Sequence, residues 1–142
     1  MWHHRFETRS GLTPEQIWPV IADVASWGEM DHNIETLNIE HTPAVGVPFK
    51  LKPKGGPTLK FVIGDFSPPY RYSDICKMPF ASMKTLHTLE KRADTVVRVD
   101  IEISGPLSAL WGRLIGRKHA QGLPAQTARI LARAAHLVTA SG

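Results

Sequence analysis

Few side chains in this sequence could do chemistry, and His87 stands first among them. It shares strand parity with Met83, Thr85 and Leu89 in the run 80–91. On an apolar inner face, an imidazole there can act as acid or base, or hydrogen-bond a ligand carbonyl. The plainer alternative is a core histidine bonded to a neighbour. Tyr72 and Asp74 share one face of the preceding strand. Turned inward, they add a phenol and a carboxyl to the same site; turned outward, they mark a solvated face. Cys76 is the single cysteine, which excludes an internal disulfide and a cysteine-rich zinc module. Without a cationic or histidine partner in view, it reads as a buried structural thiol rather than a nucleophile.

The remaining histidines are His3, His4, His32, His41, His119 and His136. No pair of the seven has metal-ligand spacing, and neighbouring His3 and His4 point to opposite faces of a strand, so no metal is expected. G-x-S-x-G, H-E-x-x-H, a P-loop and G-x-G-x-x-G are all absent. No cofactor is therefore expected. Trp18 and Trp27 either line a cavity mouth or pack the core, and Trp111 either packs the core or touches a ligand.

These residues need elements to position them. Residues 2–9 read as a first strand, with Trp2, His4 and Phe6 on one face. Thr13, Pro14 and Gln16 form a helix start with a capping box, and Ile17, Val20 and Ile21 its buried stripe. Pro19 predicts a kink or break, with a second short turn over Asp23–Trp27 ending at Gly28. From residue 34 the period becomes two. Phe49, Leu51, Leu59, Phe61, Ile63, Val99 and Ile101 fall on one face of successive strands, separated by Thr42-Pro43, Gly46, Gly55-Gly56-Pro57 and Ser67-Pro68-Pro69. After Gly105-Pro106, Leu107, Leu110, Trp111, Leu114 and Ile115 recur at helical spacing, and Ile130, Leu131 and Ala134 resume the stripe beyond a bend expected at Gly122 and Pro124. Leu107, Trp111, Leu114, Ile130, Leu131 and Ala134 are expected to be buried.

The order is strand, two short helices, about six further strands and a long helix. This order resembles the SRPBCC superfamily, also called START-like or helix-grip, in its polyketide cyclase/dehydrase and lipid-transport branch. The resemblance rests on Thr13-Pro14-Glu15-Gln16-Ile17-Trp18 followed by Asp23 and Trp27, on Gly46-Val47-Pro48-Phe49, on Ser67-Pro68-Pro69-Tyr70-Arg71, and on residues 83–90 with Gly105-Pro106-Leu107. It departs from the family pattern at Met30-Asp31, where many members carry an aromatic residue, and at Pro19. The resemblance implies a single α+β domain over 1–142, with an antiparallel sheet of about seven strands curved around the C-terminal helix. It also implies a cavity for a lipid, polyketide or aromatic compound. The expected lining is Phe49, Leu51, Leu59, Phe61, Ile63, Tyr72, Met83, Thr85, His87, Val99, Ile101 and Trp111, with His87 as the candidate catalytic group.

Composition agrees with one ordinary globular domain: 142 residues, 42% hydrophobic and 21% charged. The net charge of +4 raises the question of nucleic acid. The cations are spread out, however: Lys50, Lys52 and Lys54 on one strand face, and Arg113, Arg117 and Lys118 on a helix. No nucleic-acid partner is expected. The opening MWHHRFETRS lacks an apolar h-region, and no apolar run is long enough for a membrane helix, so a cytoplasmic location without integral membrane association is expected. A monomer and a homodimer are both compatible with the sequence. Three functions remain open: a carrier for a small hydrophobic molecule, a cyclase/dehydrase-type enzyme using acid–base chemistry in the same cavity, and an interaction module with a collapsed pocket that regulates a partner.

Overall fold

In the computed structural model, which describes residues 1–141, seven strands form one antiparallel sheet: β1 (Trp2–Ser10), β2 (Ile34–Asn38), β3 (Pro48–Pro53), β4 (Leu59–Ser67), β5 (Arg71–Met78), β6 (Ala81–Lys91) and β7 (Thr95–Ser104). The spatial order is β1-β7-β6-β5-β4-β3-β2. Strands β2 to β7 are a meander, so each pairs with its neighbour in sequence. Strands β1 and β2 stand at opposite edges, and the segment between them must cross the sheet. That segment holds α1 (Pro14–Ala22), a 3₁₀ turn over Val24–Ser26 and the short α2 (Trp27–Met30).

Alternation of apolar and polar residues assigns the two faces. On β7, Val97, Val99, Ile101 and Ile103 are buried, while Arg98 and Glu102 face out and Asp100 is held by His3 and Arg5 on the neighbouring strand. Register shifts interrupt the ladders between Ile34 and Thr36 and between Ile63 and Phe66. Such bulges bend a strand and increase its twist, which curls the sheet. At the second, Gly64 lies so close to Ser73 that a Cβ would stand 2.8 Å from its Oγ.

The capping box at α1 forms as expected: Gln16 N–H donates to Thr13 Oγ1 at 3.2 Å, and Thr13 N–H donates to Gln16 Oε1 at 2.9 Å. The helix nevertheless runs through Pro19 and ends at Ala22. Pro19 lies on its exposed side, and burial of Ile17, Val20 and Ile21 outweighs one lost backbone hydrogen bond.

The C-terminal helix comprises α3 (Ser108–Trp111), a π-helical turn over Gly112–Gly116 and α4 (Arg117–Ser141). It corrects the sequence reading in two ways. First, α4 continues through Gly122 and Pro124, because Leu123, Thr127 and Ile130 anchor it on both sides of the proline. Second, the buried stripe of the first half is Ser108, Gly112, Gly116 and Ala120, not the leucines. Leu107 and Leu114 are exposed, at 36% and 58%, whereas Trp111 and Leu131 are partly buried and Ile130 and Ala134 fully so. The cause is Trp2. Its indole lies under Gly112 and Gly116, where added Cβ atoms would come within 2.4 Å and 2.7 Å of the ring system. Only glycine permits that approach. The π turn spans Gly112 to Gly116, and both glycines lie over the same indole.

Candidate functional site

The concave face is apolar except for one band across its middle. Phe49, Phe61, Ile63, Met83, Val99 and Ile101 are buried there, and Leu51 and Leu59 pack at its edge. Tyr72 and Asp74 point inward on β5, which decides the face the sequence left open. Cross-strand pairing sets Tyr72 beside His87 and Asp74 beside Thr85, and β7 completes the row with Val99 and Ile101. The band is therefore Tyr72, Asp74, Thr85 and His87, with Cys76 buried one step further along β5. Trp111 stands apart from this group. It sits at the helix start, where its indole N–H donates to the Pro79 carbonyl at 2.8 Å.

Helical residues close the band from above. His119 of α4 reaches Thr85, with Nε2 and Oγ1 3.3 Å apart. Asp31, just after α2, is buried; Gln126 Nε2 donates to its Oδ2 at 3.5 Å, and Arg129 Nη1 forms an ion pair with its Oδ1 at 3.5 Å. Trp27 packs edge-on against both Phe49 and Tyr72, and its indole N–H donates to the Ile21 carbonyl. Trp18 instead meets Phe66. Sequence reasoning missed His119, Asp31 and Gln126 as site residues. Parity cannot find them, because they come from helix and loop. Only the correct phase of the C-terminal helix would have turned His119 and Gln126 toward the sheet.

The electrostatics follow from burial. The Tyr72 hydroxyl donates to Asp74 Oδ2 at 3.2 Å. Burial pushes the Asp74 carboxyl up to about 7, against the opposing effect of this hydrogen bond. Burial, then the adjacent Asp74 charge, raises the Tyr72 phenol well above its ordinary value, and the same two causes push the Cys76 thiol up to about 11. Burial, then His119, pulls His87 down to about 4. His119 falls to about 4, chiefly through burial and against the pull of Asp31. Near neutral pH both imidazoles are thus uncharged, and Asp74 stands close to its midpoint.

His87 is 8% exposed, and its Nδ1 is buried with no hydrogen-bond partner among the described residues. Beside it is a cavity of about 20 Å³ lined by Ile21, Trp27, Met30, Asp31, Gln126 and Ile130. That is room for one water molecule. Trp27 and Met30 also line an outer groove of about 130 Å³ that reaches Arg133 and Leu137. Among the described residues, no group of three His, Cys, Asp or Glu side chains converges as a metal site would require.

A curved antiparallel sheet closed by a long helix over a mostly apolar face defines a helix-grip domain. The chain belongs to the polyketide cyclase / dehydrase and lipid transport family, whose model matches residues 1–136. It shares its fold with Ara h 8.0201, at a TM-score of 0.75 and 13% identity over 95% of this chain and 98% of that one. Norcoclaurine synthase from Thalictrum flavum, solved with dopamine and hydroxybenzaldehyde, gives 0.67 and 12% over 93% and 83%. The di-domain ARO/CYC BexL from the BE-7585A biosynthetic pathway gives 0.67 and 14% over 94% of this chain and 48% of that one. No curated protein matches the chain. Among the described residues, no helix is long and apolar enough to cross a membrane.

Proposed function

We propose that the protein binds a small, mostly apolar molecule carrying one neutral polar group, between the sheet and the C-terminal helix. The observation that carries this reading is His87, whose Nδ1 is buried without a partner and whose side chain helps line the small cavity. A buried polar atom without a partner costs free energy, and a ligand carbonyl or hydroxyl removes that cost. Phe49, Leu51, Leu59, Phe61, Ile63, Met83, Val99 and Ile101 supply the apolar wall, and Tyr72, Thr85 and His87 orient the polar group. A ligand of ordinary size needs roughly 300 Å³ or more. Binding therefore moves side chains that the cavity and the groove share, Trp27 and Met30, and enlarges the cavity. Native mass spectrometry of protein purified from its source cells tests this: a co-purifying small molecule is expected. Its absence, with no uptake of an apolar dye or a fatty acid, counts against the reading.

A second reading, an enzyme of the cyclase or dehydrase type, is favoured by Asp74. A carboxyl poised near 7 and hydrogen-bonded to a phenol can exchange a proton near neutral pH. Likeness to BexL and norcoclaurine synthase supports this reading through the fold alone.

A further inference from the structure

After Glu102 the chain contains no aspartate or glutamate. Five of its 17 cations lie there: Arg113, Arg117, Lys118, Arg129 and Arg133. The rest of the chain is close to neutral, so this segment supplies the net charge of +4. Arg129 is tied to Asp31, but Arg113, Arg117 and Lys118 are exposed and make no ion pair among the described residues. The hairpin joining β5 and β6 also lacks an acid between Asp74 and Glu90, and carries exposed Lys77.

The same end of the molecule bears an uncovered apolar ridge. Leu110 and Leu114 are 45% and 58% exposed, Leu107 precedes them one turn earlier, and Phe80 at the hairpin tip is 73% exposed. Phe80 holds a φ of 55°, a left-handed conformation that bulky residues rarely adopt. Hairpin and helix start are fixed to each other. Leu107 N–H donates to the Phe80 carbonyl at 3.1 Å, and Trp111 donates to Pro79. Gly105, at φ 107°, lies so close that a Cβ would stand 2.7 Å from the Phe80 oxygen. The ridge is thus rigid, and Leu110, Leu114 and Lys118 follow one another at four-residue steps along the helix.

We infer that this end docks on an anionic lipid surface, with Phe80, Leu107, Leu110 and Leu114 set into the headgroup boundary and Arg113, Arg117 and Lys118 on lipid phosphates. Apolar side chains flanked by unpaired cations are the composition that binds such an interface. Neither the cavity nor the groove is lined by Phe80, Leu107, Leu110 or Leu114, so the ridge suits a fluid surface that needs no matching contour. A second copy is the poorer occupant, because pressing two such faces together sets unpaired cations against cations with no acid in the segment to neutralise them. This inference stands apart from the ligand reading.

The test is co-sedimentation with vesicles of phosphatidylcholine alone and of phosphatidylcholine mixed with phosphatidylglycerol. Binding to the mixed vesicles is expected, weakening as salt rises, with little binding to the neutral ones. Neutralising Arg113 and Arg117 as R113Q and R117Q should cost about fivefold per charge. The double variant L110Q/L114Q should cost about tenfold or more while leaving the circular dichroism unchanged, since both leucines are exposed. Phe80→Ser reads the same ridge should that pair disturb folding. Failure to bind mixed vesicles, equal binding to both kinds, or indifference to the leucine and Phe80 variants overturns the inference. So does a concentration-dependent dimer that L110Q/L114Q abolishes in a protein that ignores vesicles.

Discussion

Replacing Asp74 by Asn tests the electrostatics of the polar band directly. An unfolded carboxyl titrates near 3.8, whereas burial raises the folded one to about 7. A raised folded value means that the group's contribution is fully present below pH 3.8 and is lost as pH rises through about 7. With both states ionised, the shift corresponds to about 4 kcal/mol of lost stability. At about pH 5 only the unfolded state has ionised, and the loss is about 1–2 kcal/mol. Asn cannot ionise, and its oxygen still accepts from the Tyr72 hydroxyl. Its amide hydrogens add a penalty of about 1–3 kcal/mol if unpaired, but that penalty is the same at every pH. The informative quantity is therefore the change in the gap between variant and parent. Urea unfolding followed by circular dichroism should show D74N gaining about 2–3 kcal/mol on the parent between pH 5 and pH 8. His87 and His119 have folded values depressed from 6.5 to about 4, so their contribution is present above pH 6.5 and is lost as pH falls from there through about 4. Burial sets both shifts in parent and variant alike, so they cancel in the comparison. A gap that stays constant, or moves the other way, would refute the claim that Asp74 is held protonated by burial.

Two further substitutions separate the remaining claims. His87→Gln keeps a hydrogen-bonding side chain and removes proton transfer: a carrier should lose about 1 kcal/mol of affinity for its ligand, whereas an enzyme using His87 as acid or base should lose roughly a hundredfold in turnover with binding retained. Gly112→Ala places a Cβ within 2.4 Å of the Trp2 ring, and overpacking of about 1–3 kcal/mol should outweigh the ~1 kcal/mol gained in helix propensity. A thermal melt at or above that of the parent would mean that Trp2 moves aside freely.

The sheet was legible in the sequence because its signal is simple. A period of two with turn residues between the runs assigns Phe49, Phe61, Ile63, Val99 and Ile101 to one face whatever the details of curvature. It also assigns Met83, Thr85 and His87 together, and the cross-strand register then brings Tyr72 and Asp74 to them. The direction in which β5 faces was not legible, since Ser73 is as buried as Tyr72: its hydroxyl donates to Asp65 Oδ2 at 2.6 Å on the other side of the strand. Nor were Asp31, Gln126 and Arg129 legible as a group, because their meeting depends on where α2 ends against α4. Nothing local encodes that.

The error in the phase of the C-terminal helix is more instructive. Hydrophobic periodicity ranks positions by apolar content and so directs Leu107, Leu110 and Leu114 to the core. The observed interface is ruled by distance of approach. With the Trp2 indole filling the space under the helix, Gly112 and Gly116 cannot carry a side chain, and the small residues Ser108 and Ala120 continue the buried stripe on either side. Close approach of this kind keeps dispersion contacts dense without large helix side chains. Once the small residues take the inner face, the leucines at intervening positions have nowhere to go but outward. Their exposure is therefore a consequence of how β1 packs, and it persists only because Gly112 and Gly116 hold the helix in this phase. Rotating the helix to bury Leu110 and Leu114 would drive their side chains into Trp2 and turn His119 away from Thr85. The outer ridge and the inner site are in this sense fixed by the same two glycines.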